Sequence, residues 1–408
     1  MKVGILGCVI GLPEKEEPFQ ESNLDVFWKG EPLIRYVSTS LLPSKLGTKM
    51  KPICLKTSYN VPSSVVEKMD LQSQYAVASG LELMKKLEIN IYDQKNRMIG
   101  LPESLQTRTG VISVGGFPSH LSFLDNKEPS EMSSSFIYKI TVKSCAHLAM
   151  LLQAKGPSIH IDAACASTLY AVSLARDWIE ADRCDRVVLV GAELSCDPLL
   201  FPYLNYGFSN IGVLNLNEYI GAFETDRKGM TLGSGAFAML ITNESSKFIV
   251  EIADINISNS CYHTISLDVD FITEKLKECV NRVCKNHNMS RRELCSQMYY
   301  ISHETSTPAC ASIEMEALRS VFEEDFDLIS ISNTKCITGH CLGVGLEEPI
   351  AVESLLQKRF PYTVCKNIDS SLGNILLTKG EDHNRSYVLR FSAGFGAYTA
   401  VAMYRLSL

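Results

Sequence analysis

From Arg186 to Ala192 the chain reads Arg-Val-Val-Leu-Val-Gly-Ala, an apolar run without alternating polar positions. A strand with one wet face alternates apolar and polar side chains, so a continuous run of this kind is covered on both faces. Gly235 to Thr242 is a second such run. Covering both faces of a sheet takes helices, and the fold class that follows is α/β.

The rest of the chain supplies those helices in alternation with strands. Val3 to Val9 and Thr109 to Gly116 read as strands. Val65 to Leu87 has helical spacing after the capping pair Ser63-Ser64, and Phe136 to Lys155 reads as a helix stopped by Gly156-Pro157. Leu12 to Ser64 reads as irregular. Beyond it the pattern runs a second time. Strands are expected at Phe248–Ser258, Met298–Ser302, Leu328–Ser332, Tyr387–Phe391 and Thr399–Leu406, with helices at Asp270–Asn286, Glu314–Phe322 and Glu348–Leu356. The two series meet near Asn243 to Lys247. A chain of 408 residues accommodates two such units, related in topology and not in sequence.

Several function classes drop out. The net charge of −7 gives no support for nucleic-acid binding, which needs a basic surface. No apolar run reaches the ~18 residues of a membrane span. The start, Met1 to Cys8, faintly resembles a lipoprotein signal, but its apolar run is shorter than the ~7–15 residues of a signal core, and a first strand is expected. The 14 cysteines are scattered without a Cys-x-x-Cys pair, and Cys279/Cys284 and Cys336/Cys341 lack zinc-site spacing. No metal is expected, and a reducing cytosol is the simpler setting.

Chemistry concentrates at strand ends. Ile159 to Tyr170 reads as a short strand running into a small-residue helix, with Cys165 at the junction. The free amides and positive dipole of a helix start stabilise a thiolate, so a pKa below ~8.5 is expected there. A buried structural cysteine is the commoner fate. Three further stretches occupy strand ends: Ser302-His303-Glu304-Thr305-Ser306-Thr307-Pro308, Asn333 to His340, and Ser392-Ala393-Gly394-Phe395-Gly396-Ala397. In α/β sheets the functional edge lies beyond the carboxyl ends of strands. Glycines around Phe395 suit an exposed backbone N–H of the kind that forms an oxyanion hole.

Taken together these stretches resemble an elongating-type (Cys-His-His) β-ketoacyl-acyl-carrier-protein synthase of the thiolase superfamily. Asp162 to Ser167 resembles its nucleophile motif, and His303 to Pro308 with Ile313 to Leu318 its first histidine motif. Lys335 to His340 resembles the second, and Phe223 to Gly229 with Leu232 to Ala236 the stretch between them. Lys68-Met69-Asp70 with Gln74-Tyr75 is similar to its early helix. The resemblance implies a thiolase-like αβαβα fold of two related βαβ-type halves. Residues 1–245 carry the nucleophile, and residues 246–408 carry both histidines.

It also implies the following roles. Cys165 takes an acyl group from a phosphopantetheine thioester. His303 and His340 stabilise the enolate left when a malonyl thioester loses CO2. Lys335 orients the site with a carboxylate partner. Phe395 supplies an oxyanion amide and gates the acyl pocket, Thr305 and Thr307 hold the pantetheine arm, and Glu314 is a buried support. No cofactor is implied beyond the phosphopantetheine on the substrates. The implied partners are an acidic acyl carrier protein, with Lys68 and the Lys45–Lys56 lysines as docking charges, and a second subunit in a homodimer or a heterodimer with a ketosynthase-like chain. Two alternatives are a chain-length-factor-type partner subunit, which usually lacks the nucleophile, and a non-decarboxylating acyltransferase. Glu304 stands where the family has Gly, Ser234 where it has Glu, and Ala397-Tyr398-Thr399 where it has Gly-Thr-Asn.

Overall fold

The computed structural model describes residues 1–38, 41–116, 138, 142–216 and 218–407. Ten strands carry the architecture: β1 (Gly4–Gly11), β2 (Thr109–Val114), β3 (Ser158–Ile161), β4 (Arg186–Leu194), β5 (Ser234–Thr242), β6 (Val250–Asn259), β7 (Met298–Ile301), β8 (Ser330–Ser332), β9 (Tyr387–Gly394) and β10 (Tyr398–Leu406). In space the first five run β1-β5-β4-β2-β3, and the second five run β6-β10-β9-β7-β8. Each strand of the first half therefore has a counterpart at the same place in the second. A two-residue strand, Leu376–Leu377, extends the second half beyond β8. The halves join edge to edge where Gly4 and Ile5 of β1 pair with Glu251 and Val250 of β6.

Helices form three layers around these sheets. α1 (Leu71–Lys86) and α2 (Ser144–Leu152) cover the outer face of the first half, and α5 (Val269–His287) and α6 (Pro308–Phe322) lie on the outer side of the second. Between the halves lie α3 (Ser167–Glu180) and α7 (Glu347–Gln357), each touching strands of both. This is the five-layered αβαβα arrangement. It explains the unbroken apolar runs: β5 is buried along its whole length and β4 at all but its first residue. A further helix, α4 (Phe201–Asn210), stands beside the site described below.

Some local expectations shift. The expected Val65–Leu87 helix is two pieces, Ser63–Val66 and α1. The cap of the long piece is Asp70, whose carboxylate accepts the Ser73 N–H at 2.6 Å; Ser63-Ser64 does not cap it. Within the expected Phe136–Lys155 helix the structure has α2, while residues 136, 137 and 139–141 lie outside the described residues. The helix expected from Glu314 begins at Pro308, because proline fits the first turn, where its missing N–H costs nothing. The irregular stretch Leu12–Ser64 contains short helices at Asp25–Lys29 and Leu55–Tyr59. No helix among the described residues is long and apolar enough to cross a membrane.

Candidate active site

Equivalent strands of the two halves deliver the chemistry to one place. Cys165 follows β3, and Lys335 and His340 follow its counterpart β8. His303 follows β7, and Phe395 lies in the turn from β9 to β10. Cys165, His303, His340 and Phe395 line one cavity of about 670 Å³, together with Thr305 and Thr307. Lys335 and Glu314 lie behind that wall.

Cys165 is presented by a tight turn. Ala164 adopts φ +48, a left-handed conformation that costs a non-glycine residue about 1–2 kcal/mol. Ser167 holds the turn: its hydroxyl accepts the Ala163 N–H at 2.8 Å and donates to the Ala164 carbonyl at 2.6 Å. A Cβ on Gly394 would stand 2.5 Å from the Ala163 oxygen and 3.1 Å from the Cys165 nitrogen. Glycine there is what lets the Gly394–Phe395 backbone lie against the turn. The Phe395 ring sits 6.2 Å from the Phe208 ring of α4.

His340 Nε2 is 3.0 Å from Cys165 Sγ, and the rings of His303 and His340 lie 5.9 Å apart, nearly perpendicular. Ser392 ties the groups together. Its hydroxyl donates to the Cys165 carbonyl at 2.8 Å and sits 3.4 Å from His303 Nδ1. Behind His303, Glu314 accepts the His303 N–H at 2.6 Å and the Tyr300 hydroxyl. Thr305 and Thr307 lie side by side, their hydroxyls 3.2 Å apart.

The expected carboxylate partner of Lys335 is Glu347, in a buried ion pair. The neighbouring Glu348 pairs with Arg390 at 3.1 Å, also fully buried. The sequence leaves open whether Glu348 fills the family's acid position after His340, and it does not single out Glu347 or Arg390. The signal was available: two acids inside the apolar run Val344–Val352, and an arginine inside the strand Tyr387–Phe391, demand counter-ions.

Burial pushes the Cys165 thiol up to about 12, against the pull of the Lys335 ammonium. This overturns the expectation of a depressed pKa. α3 starts only at Ser167, two residues past the cysteine, and its cap is Ala166. Enclosure of the sulfur outweighs the helix start. Burial, with help from Lys335, pushes His340 down to about 3 and His303 well below its ordinary range. Both imidazoles are neutral at pH 7. Glu347 is held down at about 2, Lys335 offsetting the desolvation that burial imposes on the carboxylate.

Two family models match in tandem: the β-ketoacyl synthase N-terminal domain over residues 2–246 and its C-terminal domain over residues 250–360. The chain belongs to the β-ketoacyl synthase family. The family's enzymes are condensing acyltransferases. The 3-oxoacyl-[acyl-carrier-protein] synthase 2 of Vibrio cholerae is 25% identical over 347 residues, spanning 81% of each chain. A β-ketoacyl synthase structure from Burkholderia phymatum superposes with a TM-score of 0.81 at 17% identity, covering all of both chains. A ketosynthase solved in complex with a type II PKS acyl-carrier protein gives 0.79 at 17%, covering 100% of this chain and 99% of that one. The thiolase-like fold of this synthase, and its membership of the β-ketoacyl synthase family, agree with the sequence reading.

Proposed function

We propose that this synthase joins an acyl chain held on Cys165 to a malonyl unit by decarboxylative condensation. The observation that carries the reading is the convergence of one sulfur and two neutral imidazoles on one cavity wall, with 3.0 Å between Cys165 Sγ and His340 Nε2.

In the first step the Cys165 sulfur attacks an acyl thioester. The carbonyl oxygen lies between the amides of Cys165 and Phe395, each worth ~2.7–4 kcal/mol in the transition state. The acyl–sulfur bond to pantetheine breaks, and the thiol proton leaves with the departing pantetheine sulfur. His340 steadies the cysteine sulfur as it gains charge. In the second step a malonyl thioester loses CO2, and the electron pair of the broken C–C bond becomes an enolate. His303 and His340 donate ring N–H groups to its oxygen. The enolate carbon attacks the acyl carbonyl, a C–C bond forms, the C–S bond to Cys165 breaks, and the departing thiolate takes up a proton from water. Lys335 holds a fixed positive charge behind the histidines, and Thr305 and Thr307 receive the pantetheine arm.

Carrier-protein delivery fits the carrier complex solved for a structural neighbour. Of the expected docking lysines, Lys45, Lys56 and Lys68 are exposed. Lys49 bonds the Val37 carbonyl at 2.6 Å, and Lys51 pairs with Glu16 at 3.4 Å. The outer edge of β3, beyond the β2 it pairs with, supports pairing with a second subunit. Fourteen unpaired cysteines fit a reducing cytosol.

Intact-protein mass spectrometry with a panel of acyl-carrier donors tests the reading. The native chain gains one acyl mass and releases labelled CO2 from malonyl carrier, and Cys165→Ala gains none. Equal acylation of Cys165→Ala would remove the nucleophile assignment. Acylation without CO2 release would leave an acyltransferase.

A further inference from the structure

Behind the histidine wall lies a group of side chains that touch no reacting atom of the condensation, among them the Glu314 that supports His303. Glu304 comes from the turn after β7, and Cys310 and Glu314 stand one turn apart on a single face of α6. One donor atom from each lies within 4.8 Å of the others, and all three residues are buried. The carboxylates share a pattern. Glu304 Oε1 accepts the Ser306 N–H at 3.0 Å, which Ser306 reaches by adopting φ +63. Glu314 Oε1 accepts the His303 N–H and the Tyr300 hydroxyl. The second oxygen of each, Oε2, is buried and meets no hydrogen-bond partner among the described residues. Two bare carboxylate oxygens, on glutamates with no exposure and beside a buried thiol, leave an unmet demand for a cation or for protons.

We propose that Glu304, Cys310 and Glu314 bind one divalent cation of the zinc class. One thiolate and two carboxylates suit that borderline-soft ion, whereas magnesium and calcium prefer oxygen-only shells of six or more. The bonds to both Oε1 atoms are the outer-shell contacts that orient carboxylate ligands. Cys310 also borders the large cavity, which gives an ion a way in. The nearby Arg227 guanidinium, which pairs with Asp369 at 2.6 Å, also favours the charged form of Glu304. Binding displaces the protons of the buried groups to solvent. The ion would tie the start of α6 to the segment bearing His303, Thr305 and Thr307. Glu304, which stands where the family pattern has Gly, thereby becomes a ligand. The proposal holds whether or not the chain condenses malonyl units.

The test is metal binding by the full chain, stripped with a chelator and then titrated with Co²⁺ and with Zn²⁺. One equivalent should bind, with a sulfur-to-cobalt charge-transfer band. Cys310→Ala should abolish the band. Glu304→Gln, which keeps the shape and removes the charge, should weaken binding at least about tenfold. Cys165→Ala should change neither. Absence of stoichiometric binding by the native chain overturns the proposal, since its stripped state would then be a protonated cluster. So does a band that survives Cys310→Ala or vanishes with Cys165→Ala.

Discussion

The two halves share a strand order and treat their functional groups differently. In the first, the sulfur is placed by turn shape and uncharged hydrogen bonds: a left-handed alanine, a serine clamp and a glycine in the facing strand turn. Its nearest neighbours in the chain are small and uncharged. In the second, side chains are placed by buried charge, through Lys335 with Glu347 and Arg390 with Glu348. The first half can hold a reactive atom in an apolar corner because the second brings the electrostatics. One strand order used twice thus presents two unlike sockets that meet face to face.

The firmest way to break this division is to remove one imidazole. His303→Ala leaves the Cys165 turn and the Cys165–His340 contact in place. Acyl transfer to Cys165 should survive, while CO2 release from malonyl carrier should fall about 10²–10³-fold, the loss typical of one transition-state hydrogen-bond donor. Single-turnover acylation and labelled CO2 release measure the two separately. Equal loss of both would mean that the halves do not divide the work.

The buried pair beneath the site comes next. Lys335→Met leaves Glu347 charged and alone in the interior, which costs about 3–5 kcal/mol of stability. Lys335→Met combined with Glu347→Leu removes both charges and should restore most of that stability in denaturant unfolding. It should not restore condensation, because the fixed positive charge behind His303 and His340 is gone. Recovery of activity in the double variant would reduce the pair to packing.

Much of this was legible beforehand, for a physical reason. Two-sided burial writes itself as apolar runs, so β4, β5 and the alternation around them could be read directly. The candidate site residues stand at strand ends beside Gly, Ser and Thr, which marks turns. Less visible were the groups whose meaning depends on a distant partner. Glu347 and Glu348 are adjacent acids on one helix, and only the fold sends one to Lys335 and the other to Arg390. Ser392 stands in one of the strand-end stretches, yet its bridge from the Cys165 carbonyl to His303 spans 227 residues on one side and 89 on the other. The Cys165 pKa was misjudged because sequence displays the helix start and hides the enclosure that competes with it.

That misjudgement gives the finest test of the contrast. The chain contains an internal reference in Cys54, which is exposed and whose thiol is drawn down by hydrogen bonds from Thr57. Alkylation of a thiol follows its thiolate fraction. With Cys165 pushed up to about 12, its labelling by iodoacetamide should climb about tenfold per pH unit from 7 to 10 without levelling. Cys54 should level off within that range. Peptide-resolved mass spectrometry reads both sites in one sample. If Cys165 instead reached a plateau below pH 9, the amides of its turn would outweigh desolvation. The first half would then be supplying charge stabilisation of its own, and the contrast between the two sockets would narrow to the histidines.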